Sequence, residues 1–511
     1  MTGEKSTTNS NDAASGRYEP KEQCDDGSCL SPSRATTSRV SSLVAGLVPI
    51  VLIIPFAETV PAIVATRVFR QEVCRSWYAA EDPGKIPLDG PIPHELCFAA
   101  GVEQRWGAVI ELYRVIDRIG FLMGICLAYT VARKFEHKPV ILTILGVSLL
   151  YNVVNAGLQS SFQSSEIANF ALAQWAAFKA FVREQMLVFV GNLAIADMVS
   201  AEQRTVALSK FSAWATLGQM AEFICPMLVG FGLPSTKHAG LAFVCAAVLQ
   251  AGCMLCVWFL LPAARPQYQS EKVPQRDVDG PQLQDLAQQH SLTGRRNWLL
   301  CSFAVYALMA GASRSFAVMT VSTSRLGRVS SMIELGAMLM LPMVGSIVAQ
   351  MMLIPLAVKR FSRTLSARVR PQGEAPAQGE PVPNIPADAL DRFNINIAMI
   401  SLLVSAAALI VVSLAPSPAV HFIALFVFGL GAGHTPVMRS VIISMAGSSQ
   451  KGFALAAMEV IMQLGLVLST DVTSRFVALD SIPIYATTLV HGVQMLVAIL
   501  ALSIMKGSSR L

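Results

Sequence analysis

Several charged or titratable side chains of this chain lie inside long apolar runs. At the centre of a bilayer each would cost at least ~2.5–3.5 kcal/mol unless protein or water sheltered it, so such groups mark binding sites and ion pathways. Five of them are candidates for a substrate or proton pathway, namely Glu58, Arg183, Glu184, Arg314 and His434. The adjacent Arg183 and Glu184 would point about 100° apart on a helix, so one of them can pair with a neighbouring helix instead.

One of these acids has an unusual local sequence. Glu58 lies between Pro55 and Pro61. Because proline has no N–H, the two prolines can free backbone carbonyls, and we expect a broken helix there. A second acid, Glu459, lies in a later apolar run. Acids in such positions favour coupling to an ion gradient, with protons as the expected ion.

Motifs of catalysis and nucleotide binding are absent from the sequence. It contains no G-x-x-x-x-G-K-[ST], no H-E-x-x-H and no G-x-S-x-G. We therefore expect neither an enzyme nor a cofactor, and no metal site. The formal net charge of +6 comes from the segments between apolar runs and does not indicate a nucleic-acid partner.

The apolar runs themselves predict the fold. A bilayer core about 30 Å thick needs roughly 20 helical residues, and 53% of this chain is hydrophobic against 14% charged. We place the spans at residues 43–67, 109–132, 138–159, 168–197, 206–231, 237–262, 297–321, 331–357, 395–415, 418–443, 452–475 and 482–505. The prediction is an all-α integral membrane protein of twelve transmembrane helices in two pseudo-symmetric six-helix bundles.

Composition between the spans predicts the domains and their orientation. Residues 1–41 should be a disordered cytoplasmic segment, 42–262 the N-terminal bundle, 263–296 a cytoplasmic linker, 297–505 the C-terminal bundle and 506–511 a cytoplasmic tail. Residues 358–394 should form a second cytoplasmic loop. Most Lys and Arg residues fall in the segments assigned to the cytoplasm, so both termini should be cytoplasmic.

The two halves share a short internal similarity. Gln-Arg-Thr-Val-Ala-Leu at 203–208, with Gly218 beyond it, matches Gln-Lys-Gly-Phe-Ala-Leu at 450–455, with Gly465 beyond it. The offset is 450 − 203 = 247 in both cases, and it relates the fourth and fifth spans to the tenth and eleventh. This is what a parallel repeat of six helices predicts, with a binding site between the halves.

Four short motifs make residues 43–505 resemble the major facilitator superfamily, and within it fungal relatives of the proton-coupled folate and tetracycline-resistance type transporters. They are Glu-Val-Cys-Arg-Ser-Trp-Tyr at 72–78, Cys97 with Val102 beyond it, Ala-Asp-Met-Val at 196–199 with Arg204 beyond it, and Gly-Leu-Gly-Ala-Gly at 429–433 with Arg439-Ser440. Of the superfamily's signature between the second and third helices, only the Lys-Pro-Val end at 138–140 is intact. The resemblance implies the major facilitator fold and a central cavity lined by helices 1, 4, 7 and 10.

The same resemblance implies a cytoplasmic latch between the bundles. Its predicted residues are Arg133, Glu136, Lys138, Asp197, Arg204 and Arg439. The family's signature has aspartate where this chain has Arg133, which inverts the local charge. Either Glu136 supplies the anion from one helical turn away, or the latch is relaxed.

The expected activity is secondary transport by a monomer that rocks its two bundles about a central site. The first expectation is proton-coupled export of a small organic compound, a fungal metabolite or xenobiotic, because Met and Phe side chains suit adaptable apolar recognition: Met309, Phe316, Met319, Phe426 and Phe428. One alternative is uptake of an organic anion or folate-like nutrient on Arg183 and Arg314, and another is a transport-dead sensor or scaffold. We expect the plasma membrane, with a vacuolar or other organelle membrane as the alternative.

Two cysteines share the first loop on the predicted extracytoplasmic side. Cys74 and Cys97 lie where oxidation is permitted, so we expect a disulfide between them, with two free thiols as the alternative. Closing a ring of ~24 residues would stabilise the fold by roughly 3 kcal/mol in the chain-entropy model.

Overall fold

The computed structural model describes residues 32–87, 92–93, 95–161, 179, 182–232, 239–261, 300–312, 332–369, 387–415, 417–478 and 484–508. Twelve helices account for most of these residues. They are α1 (Pro32–Glu81), α2 (Ala100–Lys134), α3 (His137–Ser161), α4 (Glu184–Met198), α5 (Ala201–Gly232), α6 (Ala239–Leu260) and α7 (Leu300–Ala312), then α8 (Met332–Val369), α9 (Ala387–Leu414), α10 (Pro418–Met445), α11 (Gly447–Ala478) and α12 (Ile484–Ser508). The helical fold class is thereby confirmed for the described part of the chain.

Nine of the described helices are long and apolar enough to cross a bilayer: α1, α2, α3, α6 and α8 to α12. α4 and α7 are shorter apolar helices over the described residues. The predicted helix over 168–197 is wrong at Val182 and Arg183, because α4 begins only at Glu184 and the backbone of Arg183 is extended. The apolar composition of that run gave no signal for the interruption.

Both predicted ends of the first helix differ from the structure. α1 begins at Pro32, inside the segment predicted to be disordered, and proline suits a first helical turn because its N–H would have no partner there. α1 also continues to Glu81 instead of ending at residue 67. The chain divides into residues 1–39 and 40–511 as separate compact units, and of the first unit only the helical residues 32–39 are described.

The break expected in α1 is absent, since the helix runs unbroken through Pro55 and Pro61. Pro55 cannot donate to the carbonyl of Val51, and α5 packs Gly218 against that carbonyl. A Cβ placed on Gly218 would lie only 1.9 Å from the Val51 oxygen. A neighbouring helix that encloses a freed carbonyl allows proline inside a transmembrane helix.

The two six-helix halves pack in equivalent ways. α3 packs most extensively on α6, and α9 on α12, which are the same pairs six helices later. Gly465 of α11 meets the Leu308 carbonyl of α7, as Gly218 of α5 meets Val51 of α1, and a Cβ on Gly465 would lie 2.0 Å from that oxygen. The two glycines related by the 247-residue offset therefore allow the same close approach of two helices in each bundle.

Two helices contain irregular turns near their middle. A π-helical turn, Ala349–Leu353, ends in α8 two residues before Pro355, and a 3-10 turn, Gly431–Gly433, lies in α10 shortly before Pro436. A proline ring clashes with the carbonyl four residues earlier, so a change of pitch in the preceding turn relieves the clash. The two irregular turns pack against each other.

The end of α1 and the start of α2 form a small folded unit, which we call the cap (residues 70–103). A disulfide joins Cys74 to Cys97 with their Cα atoms 5.3 Å apart, and the Tyr78 hydroxyl donates to the Leu96 carbonyl. The buried residues of the cap are Cys74, Tyr78, Ile92, Cys97 and Val102. Because α1 and α2 are each longer than a bilayer core requires, the cap lies beyond one end of the spans.

The long loop predicted over 358–394 is partly helical. α8 continues to Val369 and α9 already begins at Ala387. The rings of Phe361 and Phe393 stack with centroids 3.8 Å apart, which gives both extensions an apolar contact. The predicted linker over 263–296 lies outside the described residues.

Candidate functional site

A cavity of about 480 Å³ lies between the two halves of the molecule. Such a volume falls in the ~300–1,000 Å³ range of small-molecule sites. Residues from α2, α4 and α5 line one side, and residues from α8 to α12 line the other. The predicted site between two bundles therefore exists as a space that both bundles enclose.

The polar lining of this cavity is dominated by amides and hydroxyls. Four glutamines take part, Gln185, Gln219, Gln350 and Gln463, together with the hydroxyl residues Ser212, Thr216, Ser346, Ser405 and Thr435. The apolar lining includes the aromatic side chains Phe121, Phe189 and Phe428. Such walls suit a compound that combines a ring system with hydrogen-bonding groups.

A buried ion pair forms part of the cavity wall. Arg439 of α10 donates from Nε to Oε1 of Glu459 on α11 at 2.8 Å, and from a terminal nitrogen to the same oxygen. Both side chains line the cavity and are less than one tenth exposed. Because a guanidinium buried without a partner is very costly, Glu459 is what allows Arg439 to lie there.

His434 is the predicted pathway residue that the structure places in the cavity wall with a buried partner. It lies directly after the 3-10 turn of α10, and its Nδ1 is 2.8 Å from the hydroxyl of Tyr306 on α7. Tyr306 is fully buried, so this contact fixes the imidazole ring. Sequence reasoning did not find Tyr306, since a tyrosine in an apolar run has no distinctive pattern.

Arg183 also lines the cavity, but it is paired and more exposed. Its guanidinium bonds the carboxylate of Asp117 on α2, and the two side chains are 37% and 40% exposed. The backbone of Glu184 begins α4, its side chain is outside the described part, and Arg314 lies outside the described residues altogether. Of the adjacent pair, only Arg183 is therefore placed in the cavity.

Glu58 does not line this cavity. Its side chain is 12% exposed and lies inside the N-terminal half, where Oε1 accepts from the Ser148 hydroxyl at 3.2 Å. Its Oε2 is 3.8 Å from Nζ of Lys179. Gln250 of α6 donates to the same Ser148 hydroxyl at 2.8 Å. Glu58 is thus part of a polar network that joins α1, α3 and α6, separate from the central space.

The apolar side chains expected in the cavity are placed in different ways. Phe428 lines it, whereas Met309 packs against the main apolar core. Phe426 is not among the lining residues, and its carbonyl faces Gly345. Phe316 and Met319 lie outside the described residues.

Side-chain contacts join the two halves at one end of the helices, which we call the closed end. There α2 and α10 end and α5, α9 and α11 begin. Thr205 of α5 donates from its hydroxyl to Ser440 of α10 at 2.8 Å, and Asn394 of α9 donates to Thr205 at 3.1 Å. Tyr129 of α2 packs edge-on against Phe453 of α11, with ring centroids 6.3 Å apart. This end lies opposite the cap.

Charged groups reinforce the closed end. Arg204 is buried at the start of α5, where the carboxylates of Asp391 on α9 and Asp197 on α4 attract it. Lys451, which the 247-residue offset relates to Arg204, lies in the same field of Asp197. The hydroxyl of Ser444 also donates to Asp391, at 2.6 Å. Among the predicted latch residues, Arg204 therefore interacts electrostatically with both halves.

Most other predicted latch residues act within one half. Oδ2 of Asp197 lies 3.0 Å from Nε2 of His137, which is in the same half. Lys138 donates from Nζ to the Trp258 carbonyl of α6 at 2.6 Å. Arg439 bonds Glu459 in the cavity wall, directly before Ser440 in the sequence. Arg133 is exposed, and Glu136 is half-buried. The hydrogen bonds among Thr205, Ser440 and Asn394 at the closed end do not involve Arg133.

Comparisons with known proteins agree with this geometry. No family model matches the chain. A "Major facilitator-type transporter psiT1" of Psilocybe cyanescens is 26% identical over 218 residues, which is 42% of this chain and 45% of that protein. The chain thus matches less than half of the length of this relative.

Solved structures match over nearly the whole chain. The human organic anion transporter MFSD10 (TETRAN) superimposes with a TM-score of 0.56 at 16% identity, covering 92% of this chain and 99% of that one. FucP, a major facilitator superfamily transporter in the outward conformation, gives a TM-score of 0.54 at 14% identity, covering 90% and 98%. The chain therefore has the major facilitator fold. The proteins named in these comparisons are transporters and not enzymes.

Proposed function

We propose that this protein is a multi-pass membrane transporter that moves a small organic compound by alternating access. In this proposal the compound is exported, and the proton gradient supplies the energy. The observation that carries the proposal is the central cavity, which both halves line and which cross-contacts shut at one end. A cavity in this position becomes accessible from the other side when the halves rock. The major facilitator fold supports this motion by analogy.

The closed end is assigned to the cytoplasm in this proposal. Lys and Arg concentrate in the segments at that end, as the positive-inside rule expects of the cytoplasmic side. The cap lies at the opposite end, and its disulfide would persist in an oxidising compartment. In this proposal, opening of the closed end exposes the cavity to the cytoplasm.

Charge in the cavity favours a cargo without net negative charge. Both lining arginines with described side chains, Arg183 and Arg439, are already paired with Asp117 and Glu459. An anion would have to displace one of these carboxylates, whereas a neutral amphipathic compound needs only the amides, hydroxyls and aromatic rings. A neutral amphipathic cargo is therefore preferred over a folate-like anion.

Coupling to protons is assigned to the polar network around Glu58. Protonation of Glu58 would break its ion pair with Lys179, whose Nζ also lies 4.9 Å from the centroid of the Tyr151 ring, and the hydrogen bonds of Ser148 and Gln250 could rearrange around the neutral carboxyl. The network lies within one half and outside the central space. Cargo and proton would thus occupy separate sites on the same moving body.

A reversible cross-link at the closed end tests alternating access. The Oγ atoms of Thr205 and Ser440 are 2.8 Å apart, so Thr205→Cys with Ser440→Cys should form a disulfide under mild oxidation. Oxidation should abolish efflux of candidate solutes from whole cells, and reduction should restore it. Each single variant, treated with the same oxidant, controls for the native cysteines.

Two results would contradict the proposal. If the oxidised double variant transports at the parent rate, opening of this end is not part of the cycle. The second result is that a broad panel of solutes accumulates equally in cells that express the parent protein and in cells that lack it, whether or not a proton uncoupler is added. That result would favour the sensor or scaffold alternative.

A further inference from the structure

The π-helical turn of α8 places one amide in an exceptional position. Gln350 is the second residue of this turn, is 3% exposed and lines the central cavity. Its Nε2 donates to the Ser346 hydroxyl at 3.0 Å, one turn earlier. Its Oε1 is buried and has no hydrogen-bond partner among the described residues. A buried acceptor without a donor costs about 1–3 kcal/mol, and beside a cavity a donor from a ligand would recover that cost.

Close packing on both sides holds the turn in place. Before it, a Cβ on Gly345 would lie 2.2 Å from the Phe426 carbonyl of α10. After it, a Cβ on Gly433 would lie 2.6 Å from Cδ1 of Ile354. The backbone of α8 is therefore clamped against α10 on either side of Gln350. A regular α-helix would rotate the amide away from its present direction, and π turns inside α-helices are frequent at functional sites.

The facing turn of α10 completes the environment. The 3-10 turn Gly431–Gly433 contacts the π turn, and it is followed by the cavity residues His434 and Thr435. Gln350 of the π turn and the two polar residues that follow the 3-10 turn therefore line the same cavity. The opposite wall carries Phe121 and Phe189 of the N-terminal half.

We infer that Gln350 Oε1 accepts a hydrogen bond from an O–H or N–H group of the cargo, so that the transporter selects amphipathic compounds that carry such a donor. The inference rests on the proposed function and specifies the cargo of the same cavity. The donor sits against the paired turns of α8 and α10, and the apolar part of the cargo lies against the aromatic side chains.

A matched pair of probes tests this without knowledge of the natural cargo. 2-Naphthol carries one O–H donor, and 2-methoxynaphthalene has the same ring system without it. Binding of each to the full chain in nanodiscs is measured by equilibrium dialysis, with empty nanodiscs as the background. The parent protein should bind 2-naphthol about fivefold more tightly than the ether, the ratio expected for one net hydrogen bond.

Three variants test whether the preference for 2-naphthol comes from the Gln350 amide or from a general change in the protein. Gln350→Leu should lower the preference to about one, whereas Gln350→Glu keeps an acceptor and should preserve it. Gln494→Leu is the matched control, because the Oε1 of Gln494 on α12 is also buried, has no hydrogen-bond partner in the described part of the chain and does not line the cavity. It should retain the fivefold ratio.

The outcomes distinguish this inference from the proposed function. Equal binding of the two probes by the parent protein, or a preference that survives in Gln350→Leu, overturns the role of Gln350. So does failure of the parent to bind 2-naphthol. The cross-link between residues 205 and 440 still reports on transport in each of these cases, because it does not depend on how cargo is recognised.

Discussion

Replacing Gly218 or Gly465 by alanine should destabilise the protein, although alanine is normally the better helix former. The new Cβ would lie 1.9 Å from the Val51 carbonyl oxygen or 2.0 Å from that of Leu308. Ordinary contact begins at 3.4 Å, so the helices must separate by 3.4 − 1.9 = 1.5 Å or 3.4 − 2.0 = 1.4 Å. The obstacle is backbone and cannot rotate away.

The magnitude follows from two opposing effects. Overpacking of a close interface costs typically ~1–3 kcal/mol, and the exchange of glycine for alanine inside a helix returns up to ~1 kcal/mol. We expect each variant to lose about 1–2 kcal/mol of unfolding free energy. The two sites use different partners in different bundles, so the double variant should lose about the sum.

The matched control is Gly252→Ala in α6, where a Cβ would meet no atom within 4 Å. This variant should be neutral or slightly more stable. Unfolding is followed by circular dichroism in mixed micelles of dodecylmaltoside and SDS, as a function of the SDS fraction. If Gly218→Ala and Gly465→Ala unfold at the same SDS fraction as Gly252→Ala, the helices do not touch at these glycines, and the structural basis of the repeat is wrong.

Two further predictions concern the proton and the cap. Glu58→Gln should keep surface expression and gradient-independent exchange of cargo but lose gradient-driven transport, because the proton-carrying carboxyl is gone; unchanged gradient-driven transport between about pH 5 and 8 would refute the role of Glu58. Cys74 and Cys97 should resist thiol labelling on intact cells until a reductant is added, because they are joined in a disulfide; strong labelling without reduction would show free thiols.

Much of the architecture could be predicted from the sequence, for identifiable reasons. Length and apolarity of the runs determine where helices cross, and these are properties of single segments. The offset of 247 residues correctly paired Gly218 with Gly465, because an identical backbone approach in each bundle requires glycine at both positions. The resemblance to the major facilitator fold was likewise confirmed, whereas the narrower resemblance to folate and tetracycline-resistance type transporters stays a prediction.

The parts that failed depend on contacts between distant segments. Pro55 and Pro61 suggested a break in α1, but the sequence of α1 cannot show that Gly218 of α5 covers the freed carbonyl. The latch of charged residues stays a prediction, whereas the contact of Thr205 with Ser440 gave no signal, because small hydroxyl residues are common in helices. Gln350 carried a weak signal, since Pro355 just beyond it predicts an irregular turn that could redirect a polar side chain.

On the proposed function, the cap offers a practical route to structures of the other states in the transport cycle. A membrane protein with little mass outside the detergent belt gives little contrast in single-particle images. The cap is covalently closed by Cys74 and Cys97, Arg70 pairs there with Glu103, and the ring of Phe98 is half exposed beneath the Arg70 guanidinium. A nanobody raised against this rigid surface would serve as an alignment marker fixed to the N-terminal bundle. The angle between the nanobody and the detergent belt would then report the orientation of the N-terminal bundle in each conformation.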